Sequence, residues 1–486
     1  MPDPTPAPDL PEIRLAGFLN SGLGLGETAR RMARCLQAAG VPVQTLAWEK
    51  TDVATVPFQT SGPPAATPAQ GGPGISILCM NGDQIPSFLN HAGSSFTEGK
   101  YVICVWFWEL PELPAGMEEA FRQVDEVWAA TPFIQEALAK RSGEVPVRLF
   151  PHPVEPPAGH AGEARARFPF GDRFVFLFAF DYQSCSKRKN PGGVCEAFAM
   201  AFPVPAPGGP LCVIKSINAS LHPVDHALIQ RRWAHRPDIV FMDDFLTTAD
   251  RDLLCWRADA CVSLHRSEGL GVTLLEGMVL GKPCIGTNWS GNTSFMSEST
   301  AWLIPWLPVP VGRGSLHYEA SQIWAEPDLP AAAAAMREVA AGGPSVAAKA
   351  ASGQKQVLAH YHPDIAGQAM RCLLEKAAGA NPRKKPPLPG RRAVAEAVKS
   401  LREFEQKLRT TPKASRWQLP AAVAGTRQDL IQLTQLQRHA LTQSLAALKH
   451  LDQQTKARHQ YLLRENQRLS DQLAGLVTSL PPAPAP

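Results

Sequence analysis

Leu264-His265-Arg266-Ser267-Glu268-Gly269-Leu270-Gly271-Val272-Thr273-Leu274-Leu275-Glu276-Gly277-Met278 is the stretch that decides the fold of this chain. The apolar run Asp259 to Leu264 leads into it as a buried strand. Gly269 and Gly271 permit a tight turn, and Val272 to Leu280 reads as a buried helix. Glu268 and Glu276 stand eight residues apart, the first in the turn and the second one to two turns into the helix. Free amides at such a helix N-terminus favour a diphosphate. With the diphosphate there, Glu268 faces a donor sugar and Glu276 reaches the ribose hydroxyls, a spacing suited to a sugar nucleotide.

Working outward, Ile13 to Leu19, Val41 to Trp48, Ile75 to Met80, Tyr101 to Trp108, Glu126 to Ala130 and Val147 to Phe150 are short apolar runs. Most are separated by helix-like stretches such as Thr28 to Ala39, which ends at Gly40, and Gly116 to Val124. After a Pro-rich hinge near Pro153 to Pro157 a second set follows: Phe174 to Phe180, Leu211 to Ile217, Asp238 to Met242, Asp259 to Leu264, Pro283 to Thr287 and Ala301 to Ile304. Gly193 to Ala201 and Asp250 to Ala258 are the helical stretches among them. Alternation of this kind predicts two doubly wound α/β units, each a parallel sheet with helices on both faces. Ala331 to Ala341 and Ala347 to Ala377 are expected to be helices that close the second unit.

At 486 residues, 44% hydrophobic and 19% charged, the chain is long enough for two cores. A formal net charge of +4 excludes nucleic-acid binding by the protein as a whole. The ten cysteines lie mostly in apolar runs with no CxxC pair. With no export segment ahead of them they read as reduced thiols of a cytoplasmic protein. The longest apolar run, Tyr101 to Trp108, is too short to cross a bilayer. Membrane contact is therefore expected at the surface only.

Further motifs accompany the opening stretch: Gly281-Lys282-Pro283-Cys284-Ile285-Gly286-Thr287 into Asn288-Trp289-Ser290-Gly291-Asn292; Phe180-Asp181-Tyr182; Lys187-Arg188-Lys189-Asn190-Pro191; and Ala197-Phe198. Upstream stand Trp108-Glu109-Leu110 and Asp125-Glu126-Val127-Trp128-Ala129-Ala130-Thr131, and downstream Trp324-Ala325-Glu326-Pro327-Asp328. Over roughly residues 12 to 375 this pattern resembles the retaining GT-B glycosyltransferases of family 4, most closely bacterial mannosyltransferase-like members that build polysaccharides. The resemblance implies a GT-B fold with the site between two Rossmann-like domains. It also implies transfer of a hexose, mannose from GDP-mannose, with retention onto a saccharide or lipid-linked saccharide acceptor. The expected division is a tail at 1–11, an acceptor domain at 12–155, a donor-nucleotide domain at 156–378, a basic linker at 379–395, a helical extension at 396–478 and a tail at 479–486.

Candidate site residues follow from charge and position. Glu268 and Glu109 are the catalytic candidates. Two diphosphate charges need cations, and Arg188 and Lys189 lie in the loop after the first strand of the second unit. Members of the resembled family commonly carry an Arg near that strand end and a Lys about six residues later; Lys189 matches the Lys. The earlier position falls near Gln183, with no Arg, so Arg188 or Lys215 is expected to substitute. Lys215, inside an apolar strand, must find an anion or reach the strand end. His265 and Arg266 flank Glu268 as donor contacts, beside Gly269, Leu270, Gly271 and Glu276. Gly22, Gly24 and Gly26 form a glycine turn after the first strand, which in the resembled family lines the cleft.

Where family members often carry an acceptor-side His, this chain has Glu109. It positions or deprotonates an acceptor hydroxyl, or caps the turn at Pro111. Trp106 and Trp108 read as core more readily than as sugar platforms. No metal or cofactor is expected. Thr247, Thr248 and Asp250 suit a helix N-cap, which argues against a DxD reading of Asp243-Asp244 and Asp250-Arg251-Asp252. The histidines, His152 and His265 included, lack ligand spacing.

Two rival functions stay open: an inactive scaffold of a polysaccharide assembly, and a nicotinamide enzyme argued by the turn at Gly22 to Gly26. Only Trp48-Glu49 offers the acid that a nicotinamide site needs. Leu441, Leu448, Leu462, Leu469 and Leu476, with Leu445 and Leu473, form a coiled-coil pattern whose seam is interrupted by Asp452, Thr455, His459 and Asn466. It is a candidate for self-association or for an assembly partner. Arg383 to Arg392 is a basic tether or an anionic-lipid contact.

Overall fold

The computed structural model describes residues 10–48, 74–114, 117–312, 315 and 318–386. Residues 49–73, most of the basic linker and the heptad region lie outside the described residues. Both sheets belong to one compact unit, Met1–Ile85 with Ser94–Lys384.

The first sheet comprises β1 (Glu12–Gly17), β2 (Val43–Ala47), β3 (Gly74–Cys79), β4 (Tyr101–Trp106), β5 (Glu126–Ala129) and β6 (Val147–Leu149), in the order β2-β1-β3-β4-β5-β6. Every pairing is parallel, with Ile13 opposite Val43 on one side and Ile75 on the other. The second sheet comprises β7 (Val175–Asp181), β8 (Leu211–Ile217), β9 (Ile239–Met242), β10 (Ala260–Ser263), β11 (Cys284–Thr287) and β12 (Trp302–Ile304), ordered β12-β11-β10-β7-β8-β9 and also parallel. Central strands such as β3, β4 and β10 are buried throughout, which is why they read as unbroken apolar runs. Along β7, Phe176, Phe178 and Phe180 enter one core while Val175 and Leu177 enter the core on the other face. Each such fully buried side chain contributes about 1.5–3 kcal/mol.

Chain order reverses between β1 and β3 in the first sheet and between β7 and β10 in the second. These are the switch points beyond whose carboxyl ends ligands bind in open α/β sheets. The glycine turn follows β1, Lys187 to Lys189 follow β7, and Leu264 to Gly271 follow β10. Topology therefore delivers the three motifs to the two switch points.

Two elements depart from expectation. An antiparallel hairpin, β13 (Trp306–Pro310) and β14 (Ile323–Pro327), follows β12, with Trp306 opposite Pro327. Pro308 and Pro310 hide β13 from a pattern reading, and a two-stranded ribbon tolerates them because its outer edges need no donors. The helices Leu329–Ala341 and Pro344–Tyr361 pack on the second domain, the latter with Gly353 beneath Thr300 and Met278. The last helix, Pro363–Ala378, does not close that domain as expected. It lies on helix Gly24–Ala38 of the first, where Arg371 Nη1 donates to the Ala39 carbonyl at 3.0 Å. A Cβ on Gly367 would come within 2.5 Å of the Cys35 carbonyl, so a glycine permits this approach.

Candidate active site between the two sheets

The cations after β7 are aimed by a corner. The short helix Ser186–Lys189 ends at Asn190, which takes the left-handed conformation (φ 57°, ψ 49°). Pro191 then opens helix Pro191–Ala201, whose Gly193 amide donates to Asn190 Oδ1 at 3.1 Å. Asn190 Nδ2 donates to the Leu264 carbonyl at 2.8 Å, and the Arg266 amide to the Arg188 carbonyl at 2.8 Å. The segment is thereby stitched to the loop after β10.

That loop carries Glu268, whose carboxylate accepts from Lys189 Nζ at 2.5 Å and Arg188 Nη1 at 3.2 Å. Burial works to raise its pKa, and the two cations more than reverse this, holding it at about 2. The Arg188 side chain is only 3% exposed; Nη1 also donates to the Ser267 carbonyl at 2.7 Å, and its Nε has no partner. Arg188 Nη2 lies 3.7 Å from Glu109 Oε1, from the end of β4. Glu109 Oε2 accepts from Tyr318 Oη at 2.9 Å. One guanidinium thus stands between a first-domain and a second-domain carboxylate.

Other contacts cross the same gap. Thr131 accepts from the Ile134 amide, capping helix Pro132–Ala139, and donates to the Gly269 carbonyl at 2.9 Å. Ser267 Oγ donates to the Glu109 carbonyl. A Cβ on Gly269 would press on the Trp108 carbonyl at 3.1 Å, and one on Gly291 would overlap the Gly269 oxygen, so the second loop needs glycine at 291. Gly271, with φ 92°, turns the chain into helix Val272–Val279, and Leu270 is buried beside it.

Glu276 is also buried, and Arg31 from helix Gly24–Ala38 donates to it. Arg31 Nε donates to Glu27 at 2.9 Å, Arg30 holds the other Glu27 oxygen, and Arg31 Nη1 has no partner. Burial opposes ionisation of Glu27, yet Arg31, Arg251 and Arg30 bring it down to about 2. A cavity of about 210 Å³ opens here, lined among others by Glu27, Arg31, Arg34, Arg251 and Glu276. His152 lies close by, its Nε2 3.0 Å from Thr28 Oγ1 and its Nδ1 buried without a partner. Burial and Arg31 depress its pKa to about 3, so it is neutral.

Several expected donor contacts have other partners. Both ring nitrogens of His265 are engaged, by Ser263 and by Asn292 at 3.0 Å each, and burial holds the ring neutral. Arg266 makes a two-pronged pair with Glu326 of β14 at 2.6 and 2.8 Å, and its Nη1 donates to the Lys187 carbonyl. Lys215 does reach the strand end, but it finds the carbonyls of Ser216 (2.5 Å) and Asp244 (2.7 Å) rather than an anion. Burial lowers its pKa to about 8. Within the glycine turn, Gly26 is packed against the Phe18 and Ser21 carbonyls whereas Gly24 faces open space. Trp106 and Trp108 are core, at 1% and 8% exposure. Thr247 is the N-cap of helix Thr248–Arg257.

Arg31 and Tyr318 join the site without belonging to any of the motifs of the sequence. Glu27, Arg30, Arg31 and Arg34 mark one charged helix face, the signal that points to Arg31. Tyr318 has none. Among the described residues, no group of three His, Cys, Asp or Glu is placed to hold a metal, and no helix is long and apolar enough to cross a membrane. Nine of the ten cysteines are buried, and none is paired in a disulfide.

No family model matches the sequence, and no curated protein matches it significantly. Solved structures do match the fold. Sucrose-phosphate synthase from Thermosynechococcus elongatus aligns over 75% of this chain and 98% of its own, at 14% identity and a TM-score of 0.52. A glycosyltransferase from Rickettsia africae aligns over 77% and 100%, at 12% identity and a TM-score of 0.55. HepE from Anabaena, solved with UDP and glucose, aligns over 75% and 99%, at 12% identity and a TM-score of 0.52. The chain therefore has the two-domain GT-B fold of these glycosyltransferases.

Proposed function

We propose that this protein is a retaining glycosyltransferase that moves a hexose from a nucleoside diphosphate sugar to a saccharide acceptor. The observation that carries the reading is Arg188 and Lys189 gathered on Glu268 at the second switch point, with Glu109 facing them from the first sheet. Leaving-group charge is the largest charge to develop, and two fixed cations with the amides near Gly269 to Gly271 oppose it. The cations supply what a metal would otherwise supply. Glu268 orients the sugar hydroxyls. Glu276 takes the ribose once it exchanges Arg31 for the hydroxyls. The cavity beside it, about 210 Å³, is smaller than the 300 Å³ or more of ordinary ligand pockets, so donor entry widens this ground.

In the transfer, the bond from the anomeric carbon to the diphosphate oxygen breaks and the acceptor oxygen bonds that carbon from the departing side. The acceptor proton passes to the leaving phosphate oxygen, and Glu109 aligns the acceptor hydroxyl. Sequence resemblance favours mannose on a guanine nucleotide, a lipid-linked saccharide acceptor and polysaccharide synthesis at the inner membrane surface. UDP-glucose is the competing donor, since HepE was solved with UDP and glucose. The test is nucleotide release from GDP-mannose, UDP-glucose and ADP-glucose with methyl mannoside as acceptor, with the product anomer read by NMR. Release from one donor with a retained anomer supports the proposal. Release from none, or an inverted product, overturns it.

A further inference from the structure

We propose that Tyr318, on the segment joining β13 to β14, is a positioning residue that fixes the first-domain carboxylate of Glu109 beside Arg188 for the acceptor hydroxyl. The inference rests on the glycosyl transfer proposed above and adds a residue to it. Tyr318 Oη donates to Glu109 Oε2 at 2.9 Å, while Arg188 approaches the other oxygen at 3.7 Å, so both carboxylate oxygens are constrained by groups from the second domain. A carboxylate can accept about four hydrogen bonds, which leaves capacity for a substrate hydroxyl.

The phenol is itself held. Its ring packs on Trp108 at 5.6 Å and on Trp324 of β14 at 6.5 Å, and Trp324 is 3% exposed. Two residues further along β14, Glu326 grips Arg266, which donates to the Lys187 carbonyl next to Arg188. One hairpin therefore braces the cation segment through Glu326 and the opposing carboxylate through Tyr318. Burial, with the Glu109 carboxylate beside it, keeps the phenol protonated against the opposing pull of Arg188, so its O–H is present to donate to Glu109. Placement of Glu109 consequently depends on the second domain being seated against the first.

The test is a cycle of Tyr318→Phe, Glu109→Gln and the double variant in the full chain. Phe keeps the ring and removes only the hydroxyl. With GDP-mannose or UDP-glucose and methyl mannoside, Tyr318→Phe is expected to lower kcat about tenfold with the donor KM unchanged. In the Glu109→Gln background the same change should lower kcat no further. Ligand-free thermal unfolding is followed in parallel. There the loss in Tm caused by Tyr318→Phe should shrink by at least half in the Glu109→Gln background. Unchanged kcat in Tyr318→Phe, an undiminished loss on top of Glu109→Gln, or additive Tm shifts would overturn the inference. If the wild type turns over no donor, the proposed function falls, and the unfolding cycle alone decides whether Tyr318 holds Glu109.

Discussion

Replacing Glu268 by Gln should lower stability at pH 7 by about 3 kcal/mol, and the loss should vanish in acid. The Glu268 side chain is 10% exposed and faces two cations, one of them 3% exposed. Its pKa falls from an ordinary 4.5 to about 2. At 1.36 kcal/mol per pH unit, that gap corresponds to about 3 kcal/mol of stability. This agrees with the 3–5 kcal/mol typical of breaking a buried pair, about the same size by an independent route. The folded pKa is depressed, so the contribution is complete above pH 4.5 and is lost as pH falls towards 2. The protonated acid in the wild type and the amide in Glu268→Gln both leave Arg188 and Lys189 without the Glu268 charge. Urea unfolding of wild type and Glu268→Gln at pH 7, 5, 4, 3 and 2.5 should therefore give curves that converge in acid. A variant as stable as wild type at pH 7, or a deficit that persists undiminished at pH 2.5, would mean that the Glu268 charge does not stabilise the fold.

Three further outcomes are expected. Arg31→Met removes the cation hydrogen-bonded to the buried Glu276 carboxylate, leaving Arg251 nearby, and should cost about 3 kcal/mol in unfolding; adding Glu276→Gln should recover part of that loss, and no recovery would mean the pair is not what Arg31 supplies. Gly291→Ala puts a Cβ 1.9 Å from the Gly269 oxygen and should cost more than about 3 kcal/mol, whereas Gly24→Ala, in open space, should leave the Tm within a few degrees of wild type. His152 is neutral in the fold, its pKa lowered from 6.5 to about 3, so its contribution is complete above pH 6.5 and falls by about 4 kcal/mol as pH drops towards 3; His152→Phe should show a shallower acid limb by that amount in pH-jump unfolding.

Strands were the legible part of the fold because both sheets are covered on each face, which turns every central strand into an apolar run such as Ile75 to Met80. Glu268 and Lys189 were legible because each sits in the loop after a switch-point strand, where topology alone decides their meeting. Lys215 shows the opposite case. A lysine in an apolar strand must be satisfied, but the pattern does not say whether by an anion or by the Ser216 and Asp244 carbonyls that it in fact meets. His265 likewise spends both nitrogens on Ser263 and Asn292. Pairing of Arg31 with Glu276 spans 245 residues, beyond the reach of any local periodicity. Tyr318 depends on a hairpin whose first strand carries two prolines, so the contact with Glu109 left no trace in the pattern.

Calorimetric titration of GDP, UDP and ADP into the wild type and Lys189→Met, each with and without chelator, asks whether the cations after β7 hold a nucleotide diphosphate. One diphosphate should bind the wild type equally with and without chelator, and Lys189→Met should weaken it at least tenfold, about 1.4 kcal/mol. Binding of none of the three, or equal affinity in Lys189→Met, would contradict the assignment of this cation pair to a nucleotide diphosphate.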